Sequence, residues 1–409
     1  MWWKKRTYLD IAAGMSGNPS SPHAEGRAAR ERLEAARLRI ARLVEAKSDD
    51  VVFTSGATEA NALAILGRTR ASRAGGLEHP HMLYLPSAHA SIVENMKLAE
   101  NEGADIEALP IKNCRVDCDA LVKLLRPETV LISMDAVCGE TGVVWNTREV
   151  SHALEKAHSK IRFSCSFGPR EDLVSQSQRK PNFATGPVLH VDASQAPFTE
   201  KMMRAHFGAD LMTLDASKVC LARGIGCLIA SRTIELAPLY IGGGQERGLR
   251  PGSEAPVLAT AFAEGLALAA ESREPFRAKA SLARKNLIVA LHKDVPDILV
   301  NEFVSSQAPH ILNLSLPAPP SHGFGGTPRD TDYLVALLDE AGFAVSTRSA
   351  CETDSREGSR AVFALWGDAP RAASTLRISW GPATSGRALA QFPQALIKAV
   401  RFIDSAGAT

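Results

Sequence analysis

Short apolar segments alternate with helical segments through the first half of the chain, and this alternation constrains the fold more than any other feature. Residues 24–44 place apolar side chains at steps of three and four between charges, which is typical of an amphipathic helix. A strand at 50–54 follows, and a turn at 55–62 opens a second helix. Further strands are predicted at residues 82–85, 130–134, 189–191 and 211–214. The pattern predicts an α/β domain around a mostly parallel sheet.

A polar stretch and a later change of pattern interrupt this alternation. Residues 158–187 are rich in Gly, Pro, Ser, Arg and Lys, and we interpret them as an insertion that loops over the surface. Further along, the pattern changes to a long alanine-rich helix, predicted over 257–271, and α+β segments follow it. We therefore expect a large domain over residues 14–250 and a small domain formed by residues 1–13 and 251–409.

The composition argues against several functional classes. The chain has 409 residues, 45% of them hydrophobic, with a formal net charge of +2, so nothing favours nucleic acid or an anionic membrane as a partner. It has no apolar run long enough to span a bilayer, and its basic start lacks the apolar segment of a secretory signal. Seven cysteines, an odd number, favour reduced thiols in a cytoplasm. Cys114 and Cys118 lack a complementary pair of ligands, so no metal is expected.

An acid and a lysine at two predicted strand ends provide the main chemical signal. Asp192 ends one short strand, and Lys218 follows the next strand about two dozen residues later. Pyridoxal phosphate requires such a pair, because a lysine amine holds the cofactor as a Schiff base and a carboxylate keeps its pyridine nitrogen protonated. A lone lysine is usually a solvated surface charge, so the motifs around Lys218 decide how it is interpreted.

The turn at 55–58 joins a strand to a helix and is a candidate phosphate site. The free N–H groups of a first helical turn and the positive end of the helix dipole attract anions. Gly56 allows close approach of the backbone, and Thr58 adds a hydroxyl donor. An ordinary helix cap without a ligand is the alternative interpretation.

Three single residues are further candidates. His89 follows a predicted strand, where an imidazole can stack on a planar ring, shuttle protons or simply cap a helix. Cys351 follows a segment at 341–345 that is predicted as a short strand, and its small, polar neighbours indicate an exposed thiol. Arg377 lies within a strand-like run, where it could bind a carboxylate or form a structural salt bridge.

Together these segments resemble the cysteine desulfurases, a group of class V aminotransferases among the fold-type I pyridoxal-phosphate enzymes. The resemblance covers nearly the whole chain, and its most specific motifs are the SGATEAN turn at 55–61 and the glycine-rich loop at 242–250. The Ser-Ala-Cys tripeptide at 349–351 is similar to the branch with a long, mobile cysteine loop. The resemblance implies a mostly parallel central sheet and a smaller α+β C-terminal domain.

The resemblance also implies a role for each candidate residue. Lys218 would hold the cofactor and move protons, His89 would stack on its ring, and Arg377 would bind the carboxylate of L-cysteine. Cys351 would take the sulfur as a persulfide and leave alanine. The remaining cofactor contacts would come from Ala57, Thr58, Asp192, Gln195, Ser217 and, across a homodimer, Ser253.

These roles predict a cytoplasmic cysteine desulfurase that mobilises sulfur for iron–sulfur clusters or thiolated tRNA bases. A sulfur-acceptor or scaffold protein is expected as a partner, without direct contact with nucleic acid or membrane. Two alternatives stay open. A selenocysteine lyase or related β-lyase would share the site but would not require Cys351. A homologue that serves as a scaffold without catalysis would bind the cofactor weakly or not at all.

Three positions depart from the family pattern around the cofactor. Asp215 and Ser217 stand where the family usually has serine and histidine, and Gly139 stands where it usually has asparagine. A carboxylate at Asp215 would repel phosphate if it pointed towards the candidate phosphate turn. We therefore expect a divergent enzyme that binds the cofactor with weaker anchoring of its phosphate.

Overall fold

The computed structural model describes residues 7–165, 186–303, 307–318, 328–347 and 358–406. Within these ranges the strands belong to a large sheet, a small sheet and a two-stranded hairpin. In chain order the strands are β1 (Val51–Thr54), β2 (His81–Tyr84), β3 (Asp105–Ala108), β4 (Ile111–Lys112), β5 (Arg115–Val116), β6 (Thr129–Asp135), β7 (Val188–Asp192), β8 (Leu211–Asp215), β9 (Gly226–Ala230), β10 (Leu299–Val300), β11 (Ile311–Ser315) and β12 (Thr375–Ser379).

The large sheet has seven strands in the order β1-β9-β8-β7-β6-β2-β3. Only β9 runs against the other six, so the predicted mostly parallel sheet is confirmed. Strands β1, β6, β7 and β9 are buried along their whole length, as continuous apolar strands covered on both faces should be. The carboxyl ends of the six co-directional strands therefore meet at one edge, where loops can present side chains to a common site.

The helices pack mainly on the two faces of this sheet and around the small one. They are α1 (Ala24–Val44), α2 (Ala57–Ala74), α3 (Ala90–Asn101), α4 (Cys118–Leu124), α5 (Thr147–Cys165), α6 (Arg204–Phe207), α7 (Pro256–Asp294), α8 (Thr331–Glu340), α9 (Arg360–Trp366), α10 (Ala369–Ala373) and α11 (Gly386–Ala406). The helix predicted over 24–44 is α1, and the one predicted over 257–271 is the first part of the longer α7. No described helix has both the length and the apolar character needed to cross a membrane.

Two sequence predictions need correction. Residues 158–165 continue α5 instead of starting a surface loop, because the chain has no glycine or proline there to end the helix. Residues 166–185 of the predicted insertion lie outside the described residues. The predicted strand at 341–345 is also wrong, because Phe343 instead packs against Phe392 in the small core, at 5.4 Å between ring centroids.

Two apolar cores share the long helix α7. The core of the large sheet includes Leu266 from its first part, and the core around the small sheet begins with Phe276 of the same helix. The small sheet has the order β10-β11-β12 and is antiparallel throughout. The predicted domain boundary between residues 250 and 251 stays a proposal. The change from the core of the large sheet to the core of the small sheet falls within α7.

The buried carboxylate of Glu246 fixes the glycine-rich loop at 242–250 to helix α1 and strand β1. Glu246 accepts hydrogen bonds from both terminal nitrogens of Arg37, at 2.8 and 2.6 Å, and from the Phe53 amide at 2.8 Å. Glu246 and Arg247 have φ angles of 47° and 63°, a conformation that is unfavourable for side chains other than glycine. The ion pair with α1 and the hydrogen bond from β1 therefore hold a strained part of the loop in place.

We expect Glu246→Gln to lower the free energy of unfolding by about 3 kcal/mol, because it leaves the Arg37 guanidinium buried without its charged partner. Glu34→Gln is a matched control. It removes another carboxylate that contacts the same arginine, at 3.2 Å, but whose side chain is 53% exposed. This change should cost less than about 1 kcal/mol. Urea denaturation measures the free energy of unfolding of both variants. Equal decreases in the two would contradict a special role for the buried ion pair.

Candidate active site

A cavity of about 460 Å³ lies at the edge where the parallel strands end. Its volume is within the usual range for small-molecule sites. The cavity brings together five of the predicted residues: His89, Gln195, Ser217, Lys218 and Arg377. The first four follow strands β2, β7 and β8 of the large sheet, whereas Arg377 lies on β12 of the small sheet. The cavity is therefore formed by both sheets.

Asp192 is buried at the end of β7 and is tied to the imidazole of His89 by a chain of hydrogen bonds. Its carboxylate accepts from Asn61 Nδ2 at 2.7 Å and from the Ser194 amide at 2.9 Å. Asn61 Nδ2 also lies 2.8 Å from Ser91 Oγ, which is 2.8 Å from His89 Nδ1. The chain of contacts fixes the buried carboxylate and the imidazole relative to each other.

His89 both caps a helix and borders the cavity. Its Nδ1 accepts from the Ser91 amide at 3.2 Å at the start of α3, so the helix-cap interpretation is correct in geometry. The ring also lies in the cavity wall, so the same residue is available to a bound molecule. With Nδ1 accepting, Nε2 is assigned as the protonated nitrogen of the neutral ring.

Asp135 is a second buried acid at this edge, and the sequence analysis missed it. It ends β6 directly beside Asp192 in the register of the sheet and lines the cavity. Burial, and then the nearby Asp192 charge, raise the pKa of the Asp135 carboxyl well above its usual range. The signal that identified Asp192, an acid at the end of an apolar strand, also applied to Asp135.

The predicted phosphate turn is engaged by a carboxylate of the chain itself. Asp215 Oδ2 accepts from the Ala57 amide, the first residue of α2, at 2.9 Å, and Oδ1 accepts from the Ser217 amide at 2.7 Å. Ala57 and Thr58 are not among the residues that line the cavity. Asp215 thus points towards the start of α2, the orientation in which it would oppose a phosphate group.

Lys218 follows this carboxylate in a short 3-10 turn after β8. Its side chain lines the cavity, and within the described part of the chain its ammonium group has no hydrogen-bond or ion-pair partner. A lysine that is not engaged in a salt bridge is available for covalent or proton-transfer chemistry.

The opposite wall contains the predicted Arg377 and two residues that no sequence motif indicated, His310 and Arg360. His310 lines the cavity, and burial, with Arg284 nearby, lowers its pKa to about 4, so its imidazole is neutral near pH 7. Arg360 lines the cavity from α9 and donates to the Ala88 carbonyl at 3.1 Å. Arg377 donates to the Gly139 carbonyl at 3.3 Å. The positions of His310 and Arg360 depend on packing between distant segments, which local sequence patterns do not reveal.

Ser253 is a predicted residue that lies away from this wall. Ser253 is not among the lining residues, and its hydroxyl lies 3.5 Å from Asn18 Nδ2. Cys351 lies outside the described residues. The described chain on either side of it is close to the site, since Ser346 pairs with Arg377 through backbone hydrogen bonds of 2.6 and 3.2 Å and Arg360 lines the cavity.

Comparisons with known proteins identify the family of this chain. The family model described as Aminotransferase class-V matches residues 7–165 and 178–389. The chain is 27% identical over 366 residues to Cysteine desulfurase IscS 1 of Archaeoglobus fulgidus, covering 89% of this chain and 85% of that protein. It is 30% identical over 404 residues to the mitochondrial cysteine desulfurase of Candida albicans, covering 97% and 73%. A solved structure of a NifS-like protein has a TM-score of 0.78 at 22% identity and covers 94% of this chain and 92% of its own, so it supports the fold.

We expect Asp135→Asn to stabilise the protein increasingly as the pH rises. The folded pKa of Asp135 lies above the ordinary value of 3.8, so the folded state holds a proton that the unfolded chain releases. Wild-type stability therefore falls by up to about 1.4 kcal/mol per pH unit between these two pKa values. The asparagine variant lacks this loss. Urea unfolding from pH 5 to 8 measures the difference, and a difference that is constant over this range would contradict the assignment.

Proposed function

The chain belongs to the class-V aminotransferase family and, within it, to the cysteine desulfurases, and from this premise we propose that it uses pyridoxal phosphate to convert L-cysteine to L-alanine. The observation that carries the proposal is one cavity in which Lys218, His89 and Arg377 meet beside the buried Asp192. A lysine, an acid, an imidazole and an arginine are the groups that this cofactor and an amino-acid carboxylate require.

The ring end of the site fits a pyridoxal ring. Asp192 is a buried carboxylate already held by Asn61 and by a backbone amide, as a partner for a protonated ring nitrogen should be. Gly139 leaves room for the amide of Gln195, because a Cβ there would lie 2.9 Å from Gln195 Nε2. Lys218, Gln195 and His89 would therefore hold the ring, with Asp192 as the acid.

Each residue of the chain has a distinct task in the proposed reaction. When bound, the cofactor supplies a sink for the electrons released as the Cα–H bond of the substrate breaks. The Lys218 amine would accept and return that proton. Arg377 would bind the substrate carboxylate with the N–H groups that do not face Gly139.

Cys351 would take the sulfur. Its thiolate would attack the sulfur of L-cysteine, so that a new S–S bond forms as the Cβ–S bond breaks. The electron pair stays with Cβ, which takes up a proton to complete alanine, and the enzyme keeps the persulfide. The positions of Ser346 and Arg360 support this proposal, because Arg360 lines the cavity and Ser346 pairs with Arg377, which also lines it.

We further propose a cytoplasmic homodimer that passes sulfur to an acceptor or scaffold protein for iron–sulfur clusters or tRNA thiolation. Apolar side chains that are almost fully exposed support an interface between copies: Leu9, Met15 and Ile241 have 90%, 86% and 95% of their surface accessible. Ser253, near Asn18 in this chain, would then be the contact to the cofactor of the second subunit. The five cysteines whose side chains the structure describes, Cys114, Cys118, Cys138, Cys220 and Cys227, are free thiols, which agrees with a reducing compartment.

A scaffold protein that binds the cofactor weakly is the second candidate function. The specific observation in its favour is Asp215, whose carboxylate already takes the amide at the start of α2. The spectroscopic experiment below separates the two candidates.

Lys218→Ala should abolish the absorbance band at roughly 400 nm that a Schiff base between pyridoxal phosphate and lysine produces. The wild-type band should shift when L-cysteine is added. Absorbance spectra of the purified proteins, before and after L-cysteine, measure both effects. A wild-type protein that stays colourless with added pyridoxal phosphate would exclude the enzyme and favour the scaffold.

Cys351→Ser should keep the cofactor band and its shift with L-cysteine but form no persulfide, because the variant lacks the nucleophile. Cys118→Ser is the matched control, since Cys118 is a half-buried thiol outside the cavity wall, and it should form persulfide normally. Mass spectrometry of the protein after a single turnover detects the added sulfur atom. Full sulfur release by Cys351→Ser would contradict this role and favour a β-lyase.

A further inference from the structure

The start of α2 has the backbone donors of an anion site, but carboxylates of the chain accept from them. Asp215 takes the Ala57 amide at 2.9 Å. Glu59 takes the Ser55 amide and also lies 3.3 Å from the guanidinium Nε of Arg250. Two negative side chains thus take two of the backbone donors at this turn.

The sheet brings Asp215 to this position by close backbone packing. Gly226, the first residue of β9, pairs with Thr54 at the end of β1 and with Asp215 at the end of β8. A Cβ on Gly226 would lie 2.7 Å from the carbonyl carbon of Gly56, so glycine lets the turn approach the strand. The contact between Asp215 and the helix start is therefore part of the folded scaffold.

From this geometry we propose that Asp215 competes with the phosphate of the cofactor for the start of α2, so that the chain holds its cofactor mainly by the ring end. The inference rests on the proposed function. A phosphate dianion could use the Ala57 amide only after displacing the carboxylate, and it would then lie close to a like charge. Asp215 is thus a specificity-determining residue that weakens the preference for the phosphorylated cofactor over pyridoxal.

The asparagine variant isolates the charge. Asp215→Asn keeps the shape and an acceptor oxygen for the Ala57 amide but removes the negative charge. We expect it to bind pyridoxal phosphate about ten- to a hundredfold more tightly than the wild type, with affinity for pyridoxal changed by less than about twofold. Absorbance titration of each purified protein with each of the two compounds gives the four dissociation constants. Asp215→Ser provides a second variant should the first fail to fold.

Asp330→Asn is the matched control. Asp330 caps α8 in the same way, accepting from the Asp332 and Tyr333 amides at 3.0 Å each, and lies outside the cavity wall. The same chemical change there should alter neither titration. A rise in affinity for pyridoxal phosphate in this control as well would show a general effect of charge and would overturn the proposal.

Inorganic phosphate tests the competition without the cofactor. Thermal unfolding in phosphate, compared with chloride at equal ionic strength, should show stabilisation of Asp215→Asn and none of the wild type. Unchanged preference for pyridoxal phosphate in both Asp215 variants, with no effect of phosphate, would overturn the proposal and leave the proposed function intact. Phosphate binding confined to the variants, with no protein binding pyridoxal phosphate, would support the competition and overturn the proposed function.

Discussion

The arrangement of the site depends on one buried carboxylate, that of Asp192, and on the hydrogen bonds that compensate for the burial of its charge. A buried charge without hydrogen bonds would cost several kcal/mol, and this one receives two. One of them comes from Asn61 on α2, so the helix that starts at the candidate phosphate turn is fixed to the end of β7. The same asparagine continues through Ser91 to His89. The hydrogen bonds that stabilise the Asp192 carboxylate thus also orient helix α2 and the imidazole of His89.

The helix α2 is consequently held at two points before any ligand binds. Asn61 fixes its second turn to Asp192, and Asp215 satisfies the amide of its first residue. A helix start that binds phosphate usually presents free amides. Here the capping carboxylate preorganises the helix but occupies one of those donors. Stability of the ligand-free fold and affinity for a phosphate group therefore oppose each other at Ala57.

Local sequence patterns predicted the features that depend on residues close together in the chain. The strand and helix rhythm, the strand-end pair of Asp192 and Lys218, and helix α1 all follow from residues close together in sequence. Asn61, His310 and Arg360 could not be assigned in this way, because their places depend on contacts between segments far apart in the chain. The prediction at 341–345 failed for a related reason: its apolar side chains satisfy the small core without strand pairing. Asp135 was within reach, since its pattern matches that of Asp192.

The two halves of the cavity are joined through three consecutive carbonyl groups after β6. Gly139, Glu140 and Thr141 accept from Arg377, Asn313 and Gln307, respectively, at 3.3, 3.1 and 2.5 Å. Asn313 lies on β11, Arg377 lies on β12 and Gln307 comes just before β11. These hydrogen bonds therefore hold the small sheet in a fixed position relative to the loop that borders the cavity. Of the three donors, Arg377 is the one that lines the cavity, and a single hydrogen bond to a carbonyl leaves most of its N–H groups available. The contact that aligns the two halves therefore also fixes the guanidinium of Arg377 at the cavity wall.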